Sequence, residues 1–309
     1  MSIQPPGVEL EGLRRSTLDE PANATSDART PLLEFRDVGF GFGNQSGGLF
    51  RGVNITLYQG DVIAIQGDNG TGKSCLSRLA MGLYEPQIGQ VRLFGRSPGS
   101  QGHIPRLGFV GSLPQVDGDL PLPPDLPVDL FRRVVIDALF ESGADVEWAG
   151  KVAMDLELDA TDVRGKRFGQ LSKGWHLRFQ WWAALAKPVS LLMLDEPFDG
   201  LSIKIKPTVF RLLREVIDRH GAAVFLVTHH LSEAFKSGAE RFFVIEDQQL
   251  REVLPGEFRV SYLVDGEEQL NSRRTLSGKE LFELAESASV SHCQSSFDLS
   301  AHRVARGEA

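Results

Sequence analysis

Gly67-Asp68-Asn69-Gly70-Thr71-Gly72-Lys73-Ser74 fits the pattern G-x-x-x-x-G-K-[ST]. Such a loop wraps phosphates when it joins a strand to a helix. Both flanks are present. Asp61-Val62-Ile63-Ala64-Ile65 is a short, mostly apolar run of the kind found in a central strand, and Leu76, Leu79, Ala80 and Leu83 recur after the loop at helical spacing. The glycines let successive N–H groups turn inward as an anion nest. The helix N-terminus adds partial positive charge. The pattern assigns Lys73 to the β- and γ-phosphates of a nucleotide and the Ser74 hydroxyl to Mg2+. Residues Gly67, Asp68, Asn69, Gly70, Thr71, Gly72, Lys73, Ser74 and Cys75 are the expected nucleotide contacts. Cys75 otherwise reads as a buried small residue rather than a redox switch.

Working outward, Leu33-Glu34-Phe35-Arg36-Asp37-Val38 and Val53-Asn54-Ile55-Thr56-Leu57 alternate like half-buried strands. Leu191-Leu192-Met193-Leu194 and Ala223-Val224-Phe225-Leu226-Val227 are continuous apolar runs. Continuous runs suit parallel strands covered on both faces, and strands alternating with helices predict an α/β fold. Between Gln115 and Gly169 the character shifts. Pro121, Pro123, Pro124 and Pro127 make a stiff connector, and Val128, Phe131, Val135, Ala138 and Leu139 then follow at helical spacing. A mainly helical insert at about 116–170 is expected there. Trp175, Phe179 and Trp182 stand at i, i+4 and i+7, a core stripe by default and a partner-facing surface otherwise.

The run Leu191–Leu194 ends in Asp195-Glu196. The carboxyl ends of strands are where α/β sheets place ligands, which brings these acids beside the phosphate loop. Asp195 is expected to orient Mg2+ through water. Glu196 is expected to polarise an attacking water.

Leu171-Ser172-Lys173-Gly174-Trp175, followed by Arg178, resembles the signature sequence of the ABC ATPases, the nucleotide-binding subunits of ATP-binding-cassette systems. Further elements match in order over roughly residues 32–250. Phe42 resembles the aromatic that stacks on adenine. Gln115 in Leu113-Pro114-Gln115 resembles the Q-loop glutamine, with Gln101 a second candidate. Phe198-Asp199-Gly200-Leu201-Ser202 occupies the D-loop, and His229 resembles the switch histidine, with His230 beside it. The resemblance implies a P-loop NTPase core with an antiparallel β subdomain, a helical subdomain and a small C-terminal extension. It implies a second ABC ATPase chain as partner, in a homodimer or a heterodimer. Each ATP would then lie between one phosphate loop and the other chain's Ser172 and Gly174. It also implies His229 on the γ-phosphate, Gln115 sensing Mg2+, and an integral membrane permease subunit touching the helical insert from the cytoplasmic face.

Several positions depart from the family pattern, among them Phe42 in place of Tyr and a small insertion at Gly111-Ser112-Leu113 before Gln115. Lys173 and Trp175 stand where Gly and Gln are usual, a variant that hints at exporters and permease-associated ATPases. Ser202 replaces the D-loop Asp and removes a carboxylate from the implied seam. No other His, Cys or carboxylate stands near His229-His230 at metal-ligand spacing, which argues against a metal on this pair.

The whole chain, 309 residues with 33 Lys and Arg against 41 Asp and Glu, carries a net charge of −8. That balance argues against nucleic acid as a partner. Two cysteines cannot build a disulfide framework. No apolar run approaches the ~18 residues of a membrane span, and no secretory signal is recognisable; a cytoplasmic protein, peripheral on the membrane, is expected. Residues 1–30 read as a disordered tail, 31–254 as the nucleotide-binding domain, and 255–309 as a C-terminal extension of unknown role. Within the extension, Phe258–Val264 reads as a strand and Asp265-Gly266 as a turn. Ser277 and Glu280 read as a capping box before a helix, and the stretch past Ser287 as Ser-rich disorder. The function these readings imply is an ATP-hydrolysing subunit that powers a separate permease. Alternatives are a soluble ABC-type ATPase acting on nucleic acid or ribosomes, and a weakly active regulatory subunit.

Overall fold

The continuous apolar runs become the middle of a six-stranded sheet. The computed structural model describes residues 30–43, 48–67, 70–99, 106–112, 122–141, 145–159, 161–253, 258–264, 267–270 and 290–297. In chain order the strands are β1 (Leu33–Phe40), β2 (Phe50–Leu57), β3 (Val62–Gln66), β4 (Ile88–Leu93), β5 (Leu107–Val110), β6 (Leu191–Asp195), β7 (Ala223–Val227), β8 (Arg241–Glu246), β9 (Gln249–Val253), β10 (Phe258–Val264), β11 (Glu267–Leu270) and β12 (Val290–Phe297). The helices are α1 (Lys73–Ala80), α2 (Val128–Glu141), α3 (Val146–Asp155), α4 (Lys173–Leu185), α5 (Lys206–His220) and α6 (Leu231–Lys236).

The main sheet runs β5-β6-β7-β3-β8-β9. All neighbours are parallel except β8 and β9. Strand period divides each central run between two cores. Val62, Ala64, Leu192, Leu194, Val224 and Leu226 face the helical layer. Ile63, Ile65, Leu191, Met193, Phe225 and Val227 face α1 and a second, antiparallel sheet ordered β2-β1-β4. A strand buried on both faces has no polar side to show, so its sequence does not alternate.

α2 and α3 form the expected helical insert, and α4 returns from it to the main sheet. Phe179 and Trp182 are buried, so the aromatic stripe is core; Trp175 is half-buried, with the Arg178 guanidinium 4.5 Å from its ring centre. One helical expectation fails at its edge. α1 ends at Ala80 because Gly82 adopts φ 73°, which leaves Leu83 39% exposed rather than in the core. Ala138 lies within α2, as its spacing predicts.

Beyond the main sheet, β10 appears as expected and pairs antiparallel with β11 and β12. β12 corrects the expectation of disorder past Ser287. Phe258 pairs with Phe297 and Val264 with Val290, so a polar run is held by a strand distant in sequence, which local composition does not reveal. Residues 1–29, the Asp265-Gly266 turn and the Ser277 capping box lie outside the described residues.

Candidate active site

β6, β7 and β3 lie side by side, with Asp195 opposite Val227 and Val227 opposite Ile65. Their carboxyl ends therefore release three loops at one place. From β3 comes the phosphate loop, from β6 the acids, from β7 the histidines. The loop folds as its sequence demands. Gly72 has φ 97°, and a Cβ there would lie 2.1 Å from the Leu49 side chain, so only glycine fits at the helix entrance. Lys73 is buried, and its Nζ donates to the Gly67 carbonyl at 2.7 Å. Asp68 and Asn69 lie outside the described residues. Cys75 is buried, and that burial pushes its thiol up.

Ser74 Oγ donates to Asp195 Oδ1 at 2.9 Å, joining residues 121 apart in sequence. Burial raises the Asp195 carboxyl above its ordinary value, while the Ser74 hydroxyl and the charges of Arg78 and Lys73 pull it part of the way back. A buried carboxylate beside a hydroxyl is a hard-oxygen donor pair of the kind Mg2+ takes. The residues present therefore fit that ion.

Glu196 turns the chain with φ 48°, a left-handed conformation costly for a side chain and typical of functional sites. Its amide donates to the Val227 carbonyl at 2.9 Å. Burial raises its carboxyl, and His229 opposes the shift. His229 Nδ1 lies 3.0 Å from Glu196 Oε2. Of the two candidate histidines, His229 is thus the one on the acid; His230 turns toward Asp199, its Nε2 3.9 Å from Oδ1.

The segment Leu171-Ser172-Lys173-Gly174 is built into the same unit. Ser172 is the residue before α4, and a Cβ on Gly174 would fall 2.6 Å from the Gly200 carbonyl. The Lys173 stem lies along Gly200. Trp181 Nε1 donates to the Pro197 carbonyl at 3.1 Å, and its ring lies 5.7 Å from Phe198. α4 thereby anchors the loop that follows the acids.

Gln180 was not legible as a site residue. Its buried amide accepts from Gly111 N at 2.9 Å and donates to Gly111 O at 3.0 Å. Gly111 in turn packs on Asp195, where a Cβ would meet the Asp195 Cβ at 2.9 Å. Gln180→Ala strands both Gly111 groups at ~1–3 kcal/mol each. Urea unfolding should therefore show a loss of about 2–6 kcal/mol; an unchanged midpoint would mean that this clamp contributes nothing.

Residues 50–199 match the family model described as ABC transporter. By that match the chain is similar to the ABC transporter family. It is similar to the zinc import ATP-binding protein ZnuC of Hydrogenovibrio crunogenus, 27% identical over 67% of this chain and 76% of the relative. It is also similar to ZnuC of Cereibacter sphaeroides, 34% identical over 58% of this chain and 65% of the relative. The molybdenum import ATP-binding protein ModC of Mycobacterium tuberculosis is 30% identical over 66% of this chain and 56% of that one. Among solved structures, a dimeric post-hydrolysis state of an ATP-binding cassette bound to ADP and Pi superposes with TM-score 0.58 at 22% identity, covering 72% of this chain and 97% of that chain. This chain is an ATP-binding subunit and an ATPase.

Other residues expected from the ABC resemblance are placed as follows. Phe42 is 54% exposed and meets Phe40 and Tyr84 edge-on, at 5.3 and 5.7 Å between ring centres. Its exposure leaves ring surface open to a flat base. Gln115 and Gln101 lie outside the described residues. No helix among the described residues is long and apolar enough to cross a membrane.

Proposed function

We propose that this chain is the motor of a transporter whose membrane-spanning part is a separate permease, and that ATP closes two ABC chains around it. The observation that carries this reading is the convergence of Lys73, Ser74, Asp195, Glu196 and His229 at three adjacent strand ends. Each chain also presents Ser172 and Gly174 at the start of α4, a second anion-receptive end. One phosphate loop and one complementary helix start per chain suit a pair with two shared sites.

In this mechanism Phe42 stacks the adenine. The loop amides and Lys73 hold the phosphates. Ser74 and Asp195 would hold Mg2+, with Gln115 beside it, and the ion would supply positive charge against the phosphates. Glu196 accepts the proton of a water that attacks the γ-phosphorus. The bond to the β–γ bridging oxygen breaks, and ADP and phosphate leave. His229, kept by Glu196, holds the γ-phosphoryl oxygens through the transfer. Loss of the γ-phosphate removes what joined the two chains.

Residues 31–254 act as this unit, with 1–30 and 255–309 outside it. α2 exposes Leu130, Val134 and Ile136, at 46%, 57% and 39%, apolar surface of the kind that marks a protein contact. The permease docks on this insert, at the inner face of the membrane. The ZnuC and ModC relatives are named for import, and import is the direction we propose, against the exporter hint of Lys173. The test is fractionation of the source cells. The chain should sediment with membranes, leave them in carbonate without detergent, and cross-link from α2 to one polytopic protein. A pool that stays soluble in every fraction would contradict the proposal.

A further inference from the structure

The structure brings Asp199 to the histidine pair, a neighbour that sequence spacing conceals. One ring nitrogen from each of His229 and His230 and a carboxylate oxygen of Asp199 all lie within 4.8 Å of one another. Pairing of β6 with β7 causes this, because Asp199 follows the first strand and the histidines follow the second. The two imidazoles overlap, with centres 3.8 Å apart.

We propose that Asp199, His229 and His230 form a three-ligand site for a borderline divalent cation such as Zn2+, and that filling it stops ATP hydrolysis. Three protein ligands with an open fourth position are a common zinc arrangement. Bonds of ~2.0–2.1 Å in a tetrahedron place donors about 3.3 Å apart, so the cluster closes by roughly an ångström of side-chain motion. The three side chains are 32%, 41% and 47% exposed, which permits that motion and leaves an entry path. Imidazole nitrogens select Zn2+, Cu2+ or Ni2+ over Mg2+, so this site and the oxygen pair Ser74–Asp195 sort cations by donor chemistry. Glu196 on Nδ1 of His229 leaves Nε2 for the ion and becomes the outer carboxylate that fixes a metal-bound imidazole. A cation there takes His229 from the γ-phosphate and holds Glu196 to the imidazole. Binding needs only the cluster; inhibition also rests on the roles proposed above for Glu196 and His229.

The experiment uses the full chain, nucleotide-free and freed of metal, titrated with ZnCl2 by calorimetry, with circular dichroism confirming that each variant folds. One Zn2+ per chain is expected. His230→Gln and Asp199→Asn, from different loops, should each weaken it at least tenfold. In parallel, Zn2+ added at saturating Mg–ATP should lower turnover of the wild type. His230→Gln should keep its metal-free turnover within twofold and need at least tenfold more Zn2+ for half inhibition. No binding, or equal affinity in wild type and both variants, would overturn the site. Zn2+ bound at the site with turnover unchanged would overturn the inhibition. A wild type without turnover at any metal level would instead refute the hydrolytic roles, while calorimetry still decides the site.

Discussion

Glu196→Gln should lower steady-state phosphate release by about 10²–10⁴-fold, the range spanned by a positioned general base, and leave nucleotide affinity within a few-fold. The amide keeps the shape of the side chain and its hydrogen bond to His229 but cannot take a proton. The backbone around it is already turned into a costly conformation at φ 48°, so the surrounding structure over-determines where this group points. Its raised carboxyl also predicts the pH profile of the wild type. A general base works ionised. Burial moves its titration upward from the ordinary 4.5, so turnover should start to fall on acidification before an exposed glutamate would protonate. Parallel measurements of phosphate release and equilibrium nucleotide binding check this. A variant that keeps turnover within tenfold of the wild type would remove Glu196 from the chemistry.

Asp195→Asn should act in two directions. It should abolish Mg2+-dependent nucleotide binding and hydrolysis, and it should raise the melting temperature of the nucleotide-free protein at pH 7. The sign follows from burial. The folded-state carboxyl titrates above its unfolded value, so its contribution to stability is fully present below the unfolded value and is lost as pH rises through the folded one. At neutral pH the folded chain therefore carries a buried charge that Ser74 and the nearby cations only partly offset. An amide carries none. The gap between variant and wild type should shrink as pH falls toward the folded-state titration, and added Mg–ATP should stabilise only the wild type. Differential scanning calorimetry across pH measures both effects. A variant that melts below the wild type at pH 7 would show that the carboxylate is well compensated without a cation. This prediction places Asp195 among residues that trade stability for function.

Much of this architecture was readable from local pattern. Residues 61–65, 191–194 and 223–227 are continuous apolar runs because each strand faces two cores, and such runs identify central strands without a structure. The positions of Lys73, Ser74 and Asp195, at the start of a helix and the end of a strand, were equally plain from the pattern of the loop and the apolar run. What stayed hidden depends on which loops meet. Gln180 is an ordinary helix residue until Gly111 is placed against it. Asp199 is an ordinary loop acid until β6 and β7 pair, at which point it stands beside His230. The choice between His229 and His230 also required geometry, because adjacent residues leave the strand in different directions. β12 was missed for the same reason. Ser295 and Ser296 carry no strand signal, and only the partners Val260 and Arg259 make one.

In the proposed mechanism a triphosphate holds two chains of this kind together. Light scattering on size-exclusion eluates of Glu196→Gln tests this, since that variant is expected to bind Mg–ATP and to keep it. With saturating Mg–ATP the measured mass should be twice the 34.0 kDa of one chain, and with ADP it should return to one. A single-chain mass at saturating Mg–ATP, with nucleotide shown to be bound, would contradict the account.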